Sequence, residues 1–114
     1  MNQVFEMHLQ ETPFKLISSG QKTVEMRLNN KNRDKISKGD FIVFHNSYNE
    51  ETIKVIVTSV SKFSSFKELY ESYPKQRLGY QDDEIASPDD MLQYYQNSDI
   101  EKYGVLAIEI SLVK

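Results

Sequence analysis

The amino-acid sequence predicts an α+β domain: a small β-barrel of about five to six strands flanked by three to four short helices. Three observations carry this. Five segments alternate polar and apolar residues or are rich in β-branched ones, the period of half-buried strands. Between them lie short stretches with helix-start residues and terminating Gly or Pro. The chain has 114 residues, 39% of them hydrophobic, with 7 Tyr and 6 Phe. That suffices for one core but not two, so 1–114 is read as a single domain. A sheet this small buries its edges best by curling on itself.

Taken in order, Val4–Leu9 alternates Val4, Glu6 and His8 against Phe5, Met7 and Leu9. Thr12 and Pro13 resemble an N-cap with proline at the first helical position, opening a helix Phe14–Ser19 that Gly20 closes. Lys22–Leu28 reads as a strand with Val24, Met26 and Leu28 on one face and Thr23, Glu25 and Arg27 on the other. Asn29–Lys38 is a polar, basic loop, and Gly39-Asp40 is a turn before the strand Phe41–His45. Asn46–Glu51 joins it to Thr52–Ser61, the run richest in β-branched residues. Ser65 and Glu68 are spaced as a capping box for a helix Phe66–Tyr73, limited by Pro74. Ser87, Pro88 and Asp90 open a helix through Tyr95, Ser98 and Glu101 a short turn, and Val105–Val113 is the closing strand.

Composition excludes several classes. There is no Cys, so no disulfide framework and no thiolate metal site. The N-terminus has no basic segment ahead of an apolar run, so it does not read as a signal peptide. No stretch approaches the ~20 apolar residues of a membrane span, and the expected location is the cytoplasm. His8 and His45 lack the neighbouring ligands of a metal site. The acids Asp82, Asp83, Glu84, Asp89 and Asp90 lack the spacing of a calcium loop. No metal and no cofactor are expected.

The net charge of −3 is unevenly spread. Residues 15–38 hold seven basic residues (Lys15, Lys22, Arg27, Lys31, Arg33, Lys35, Lys38) against Glu25 and Asp34, leaving the rest strongly acidic. Such asymmetry either solvates a loop or builds a local positive field for a phosphate-bearing ligand. Within it, Lys22, Glu25 and Arg27 supply a point charge, a carboxylate and a planar fork. They form either a surface ion pair facing water or a ligand-binding cluster. Tyr94, Tyr95 and Tyr103 are candidates for stacking on a base, or rim residues with wet hydroxyls. On a helix Tyr94 and Tyr95 diverge, so only one of the two need face a ligand.

The run Gly20-Gln21-Lys22-Thr23-Val24-Glu25-Met26-Arg27 fits G-x-K-x-x-E-x-R, the signature of the ASCH domain. Pro13-Phe14-Lys15-Leu16-Ile17, Arg33, Gly39-Asp40-Phe41-Ile42-Val43-Phe44, Tyr94-Tyr95 and Lys102-Tyr103-Gly104-Val105 also resemble the small stand-alone bacterial members. The resemblance spans essentially the whole chain. It implies a PUA-like barrel with a cleft between barrel and helices that binds RNA or a nucleoside or nucleotide. Lys22, Glu25, Arg27, Arg33, Tyr95 and Tyr103 would line it, with Tyr95 or Tyr103 toward the ligand.

Two functions follow from that resemblance, and a protein-interaction role, marked by an exposed apolar patch, stands beside them. In a binding module, Lys22 and Arg33 meet phosphate, Arg27 fixes orientation, and Glu25 reads an amino group or anchors Arg27. In a hydrolase, similar to the relatives that deacetylate N(4)-acetylcytidine or cleave RNA, Lys22 and Glu25 are the catalytic pair. The amidohydrolases have a nucleophilic threonine where this chain has Glu25, so it departs from them there. Thr23 could replace it only with shifted geometry.

Overall fold

The computed structural model of the chain describes residues 2–31 and 33–113. Within them the elements are β1 (Val4–Leu9), α1 (Glu11–Ser18), β2 (Val24–Leu28), β3 (Phe41–Asn46), β4 (Thr52–Phe63) and α2 (Phe66–Glu71). Two 3₁₀ turns, Lys75–Leu78 and Pro88–Gln93, then lead to α3 (Asn97–Tyr103) and β5 (Val105–Leu112). The strands form one mixed sheet in the order β1-β3-β4-β5-β2, with β1 parallel to β3 and the other pairs antiparallel. It curls into a half-barrel, so β1 and β2 are its two edges. A register shift between Val57 and Ser59 breaks the regular pairing of the long strand β4 with β5, the kind of irregularity that bends a strand.

Alternation along β2 determines what each face meets. Val24, Met26 and Leu28 pack with Phe66, Leu69, Leu78, Met91 and Ile100, a core beneath α2, the 3₁₀ turns and α3. Glu25 and Arg27 face the other way. There a second core joins Met7 and Leu9 of β1 to Phe14 and Ile17 of α1, Ile42 and Phe44 of β3, and Ile36 of the basic loop. β5 serves both: Val105 and Ala107 enter the first core, Leu106, Ile108 and Ile110 the second.

Local departures from expectation have simple causes. α1 starts at Glu11 with Gln10 as its N-cap, and the Phe14 N–H donates to Gln10 O. Pro13 is therefore the third helical residue, which costs nothing because first-turn N–H groups lack intrahelical partners anyway. Ser65 caps α2 by accepting from the Glu68 N–H, but the Glu68 carboxylate accepts from the Ser64 hydroxyl, so the reciprocal half of a capping box is not made. The stretch after Ser87 is a 3₁₀ turn ending at Gln93 rather than an α-helix through Tyr95. Before β3, buried Asp40 accepts from the Gln3 N–H, the Ser37 N–H and the Ser37 hydroxyl. This ties the basic loop to the start of β1.

Candidate functional site

Lys22 lies two residues before β2, not within it. Its N–H donates to Leu16 O at 3.0 Å, and the Thr23 N–H donates to Arg77 O at 3.0 Å. The site is thus suspended between α1 and the first 3₁₀ turn. That turn ends at Gly79, with φ +106°, where an added Cβ would lie 3.2 Å from Lys22 Cδ. The lysine stem lies directly over this glycine.

From there the three charged side chains converge. Lys22 Nζ is 3.1 Å from Glu25 Oε1, and Arg27 Nη2 is 2.8 Å from Glu25 Oε2. Arg27 Nε donates to the same Oε2 at 2.8 Å. Their side chains are only 9%, 3% and 12% exposed, so this is no surface ion pair facing water. Glu25 Oε1 also accepts from the Met26 N–H, and Arg27 Nη2 donates to His8 O on β1 at 3.1 Å. Burial pushes the Glu25 carboxyl up, but Lys22 and Arg27 outweigh it and hold it below the usual carboxylate range. Burial likewise opposes the Arg27 charge, yet Glu25 and the Tyr95 hydroxyl keep its pKa above the ordinary guanidinium value. Two cations therefore share one ionised carboxylate.

This cluster opens on a cleft of about 450 Å³. β1 and the start of α1 contribute His8, Leu9, Gln10 and Pro13; β2 contributes Glu25, Met26 and Arg27 beside Lys22. Met91, Gln93, Tyr94 and Tyr95 come from the second 3₁₀ turn and its exit, and Ser47 from the turn after β3. Tyr95 stacks on Phe66, centroids 6.1 Å apart, while Tyr94 is half-exposed. Both tyrosines line the cleft because the helical turn ends at Gln93 and helical spacing no longer governs their directions.

Of the residues expected at the site, Lys22, Glu25, Arg27 and Tyr95 are brought together. Arg33 and Tyr103 do not line the cleft. The Arg33 N–H binds back to Asn30 within the basic loop, and the Tyr103 ring on α3 carries the Lys102 ammonium, 5.1 Å from its centroid. Thr23 turns away: its Oγ1 accepts from Arg77 Nε, and Arg77 Nη2 in turn binds Glu109, each at 2.8 Å. The rings of His8 and His45 lie 5.1 Å apart, and His45 Nε2 meets Glu6 Oε1 at 2.9 Å. Among the described residues, no three metal-ligating side chains gather, and no helix is long and apolar enough to cross a membrane.

Gln10, Ser47, Met91 and Gln93 belong to the cleft without any local signal. Strand and turn pairing alone brings them there.

The model of the ASCH domain family matches residues 7–114. Among solved structures, the crystal structure of the hypothetical protein PH0355 is 33% identical, with a TM-score of 0.81, covering 96% of this chain and 99% of its own. The solution structure of protein PF0455 from Pyrococcus furiosus is 31% identical, with a TM-score of 0.69, covering 97% and 98%. The ASCH protein from Zymomonas mobilis is 16% identical with a TM-score of 0.64, covering 95% of this chain and 66% of its own, a likeness of fold. Among curated proteins no match is found. On a family match over nearly its whole length, and on relatives of the same size and fold, the chain belongs to the ASCH domain family.

Proposed function

We propose that this protein binds a nucleotide or a short RNA segment in the cleft beside Lys22, Glu25 and Arg27. The observation that carries the reading is the charge balance. Lys22 and Arg27 share a single carboxylate, shielded from water, and among the described residues no other acid lines the cleft. A buried charge lacking its counter-ion costs several kcal/mol, and an anionic ligand group removes that cost. The Lys22 ammonium has three donors, and among the described residues only Glu25 accepts from it. Tyr94 and Tyr95 supply flat aromatic surface for a base. The proposed RNA association of the family agrees with this.

The test is calorimetric titration of wild type and Lys22→Ala with nucleoside monophosphates and short RNAs. Saturable binding that weakens at least ~10-fold in the variant, about 1.4 kcal/mol, is expected. Equal affinity in both proteins would remove Lys22 from the site and overturn the reading.

One observation favours a second reading, a small hydrolase or ribonuclease. Lys22 and Glu25 are within hydrogen-bond reach and shielded from water, as an acid–base pair requires. Against it, Glu25 is locked on both oxygens and held ionised, which deprives it of a proton to give and weakens it as a base. Product analysis of the same mixtures, N(4)-acetylcytidine included, decides: unchanged ligand supports binding alone, and turnover lost in Lys22→Ala and Glu25→Gln supports catalysis.

A further inference from the structure

We infer that the cleft takes a free, mononucleotide-sized molecule with one anionic group, and not a length of polymer. This rests on the nucleotide-binding reading and narrows it.

The volume comes first. About 450 Å³ lies in the lower part of the ~300–1,000 Å³ range of pockets that enclose one small ligand. A run of nucleotides would need a groove continuing beyond it, lined with cations. Among the described residues, Lys22 and Arg27 are the two Lys or Arg side chains in the lining, and both are nearly buried against Glu25.

The basic loop does not supply that groove. Lys31, Arg33, Lys35 and Lys38 are absent from the lining. At Gly39 and Asp40 the loop packs against Asn2 and Gln3, before the start of β1. The cleft residues His8, Leu9 and Gln10 stand at the other end of that strand. Six residues of strand separate them from that end of the loop by roughly 20 Å; its other end follows β2 two residues after Arg27, yet no described loop residue enters the lining. On the Tyr94 side the chain that precedes the lining is acidic instead: Asp82, Asp83, Glu84, Asp89 and Asp90 are all exposed. A nucleic-acid backbone leaving the cleft that way would meet like charge.

Inside the cleft, backbone polarity suits one base. The Asn29 N–H donates to Gly104 O and the Ile110 N–H to Thr23 O, so the odd-numbered residues of β2 pair with β5. Met26 therefore directs its backbone outward at the sheet edge. Its N–H is taken by Glu25 Oε1, and its carbonyl points the same way, toward the cleft. A carbonyl there accepts from an amino or imide N–H of a base, while Lys22 and Arg27 face the anion.

The experiment is calorimetry on the whole chain with CMP, UMP, AMP, GMP, their nucleosides, inorganic phosphate and a single-stranded RNA of ~10 nucleotides, at two salt concentrations. At least one monophosphate is expected to bind ~10-fold or more tighter than its nucleoside and than phosphate alone. The RNA should bind no tighter than that monophosphate, with a log–log salt slope no steeper than about −1. RNA binding ~10-fold tighter, with a slope of about −2 or steeper, would overturn this inference and leave the nucleotide-binding reading standing. Nucleoside or phosphate binding as tight as the monophosphate would remove the requirement for base and anion together. Binding of none of the probes would end both.

Discussion

Arg27 Nη2 donates to the main-chain carbonyl of His8 at 3.1 Å, and so joins β2 to β1, the two edges that the sheet leaves unpaired. Glu25 acts likewise on its own strand by accepting from the outward Met26 N–H. An open strand edge invites pairing with another chain, and side chains that occupy its donors and acceptors blunt that hazard. The Glu25–Arg27 pair thus closes the half-barrel as well as charging the cleft.

Replacing Arg27 by Met tests the closure. The variant keeps the apolar stem but leaves His8 O without this donor and Glu25 with Lys22 alone. A loss of about 1–3 kcal/mol is expected from a buried charged hydrogen-bond network. Urea unfolding should show it as a lower midpoint with an unchanged slope.

Acid should weaken the protein through two carboxylates. Glu25 is held low because Lys22 and Arg27 together outweigh the opposing effect of burial. Asp40 is held low chiefly by the Gln3 N–H, with Ser37 adding to it against burial. A depressed folded-state pKa stabilises fully above the ordinary carboxylate value of ~4 and is lost as pH falls through the lower folded value. Stability measured from pH 6 downward should therefore fall below about pH 4–5. Glu25→Gln and Asp40→Asn should each start less stable and show a flatter decline.

Gly79→Ala should act on Lys22 without touching the cleft. The residue has φ +106°, and the new Cβ would sit 3.2 Å from Lys22 Cδ. Left-handed backbone costs an L-residue roughly 1–2 kcal/mol, and the lysine stem must also move. The melting temperature should drop and nucleotide affinity should fall together, whereas a purely local strain would leave affinity unchanged.

The wall carrying Tyr94 and Tyr95 depends on one hydroxyl. Tyr80 donates to Asp90 at 2.7 Å and meets the Tyr70 hydroxyl at 2.8 Å. Burial, then these partners, push the Tyr80 phenol far above its ordinary pKa, so it remains a donor throughout the working range. Tyr80→Phe should cost about 1 kcal/mol and increase proteolytic cleavage within 82–96, with a smaller effect on the sheet.

Much of this was legible in the chain because it is governed by short-range periodicity. The V-E-M-R-L alternation of β2 already separates the apolar face from the Glu25 and Arg27 face. The closing strand reads from its β-branched and aliphatic run. The remainder depends on separations that no local pattern encodes. Arg33 and Tyr103 have suitable chemistry, but the loop and α3 carry them away from the cleft. His8 and Ser47 reach it through the parallel pairing of β1 with β3, and the Ser47 N–H donates to Leu9 O. The alternation of Thr23 with Glu25 and Arg27 extends the expected strand back to Lys22, whereas Arg77 takes both the Thr23 N–H and its hydroxyl oxygen and β2 begins at Val24.

β5 has no exposed face over Val105–Ile108, since alternate side chains enter different cores. The two cores therefore share one wall, and neither can melt while the other keeps its packing. Heating should give a single calorimetric transition, with calorimetric and van't Hoff enthalpies equal. The amides of Val105–Ile108 should exchange with solvent only through global opening, which makes them the slowest clock in the molecule.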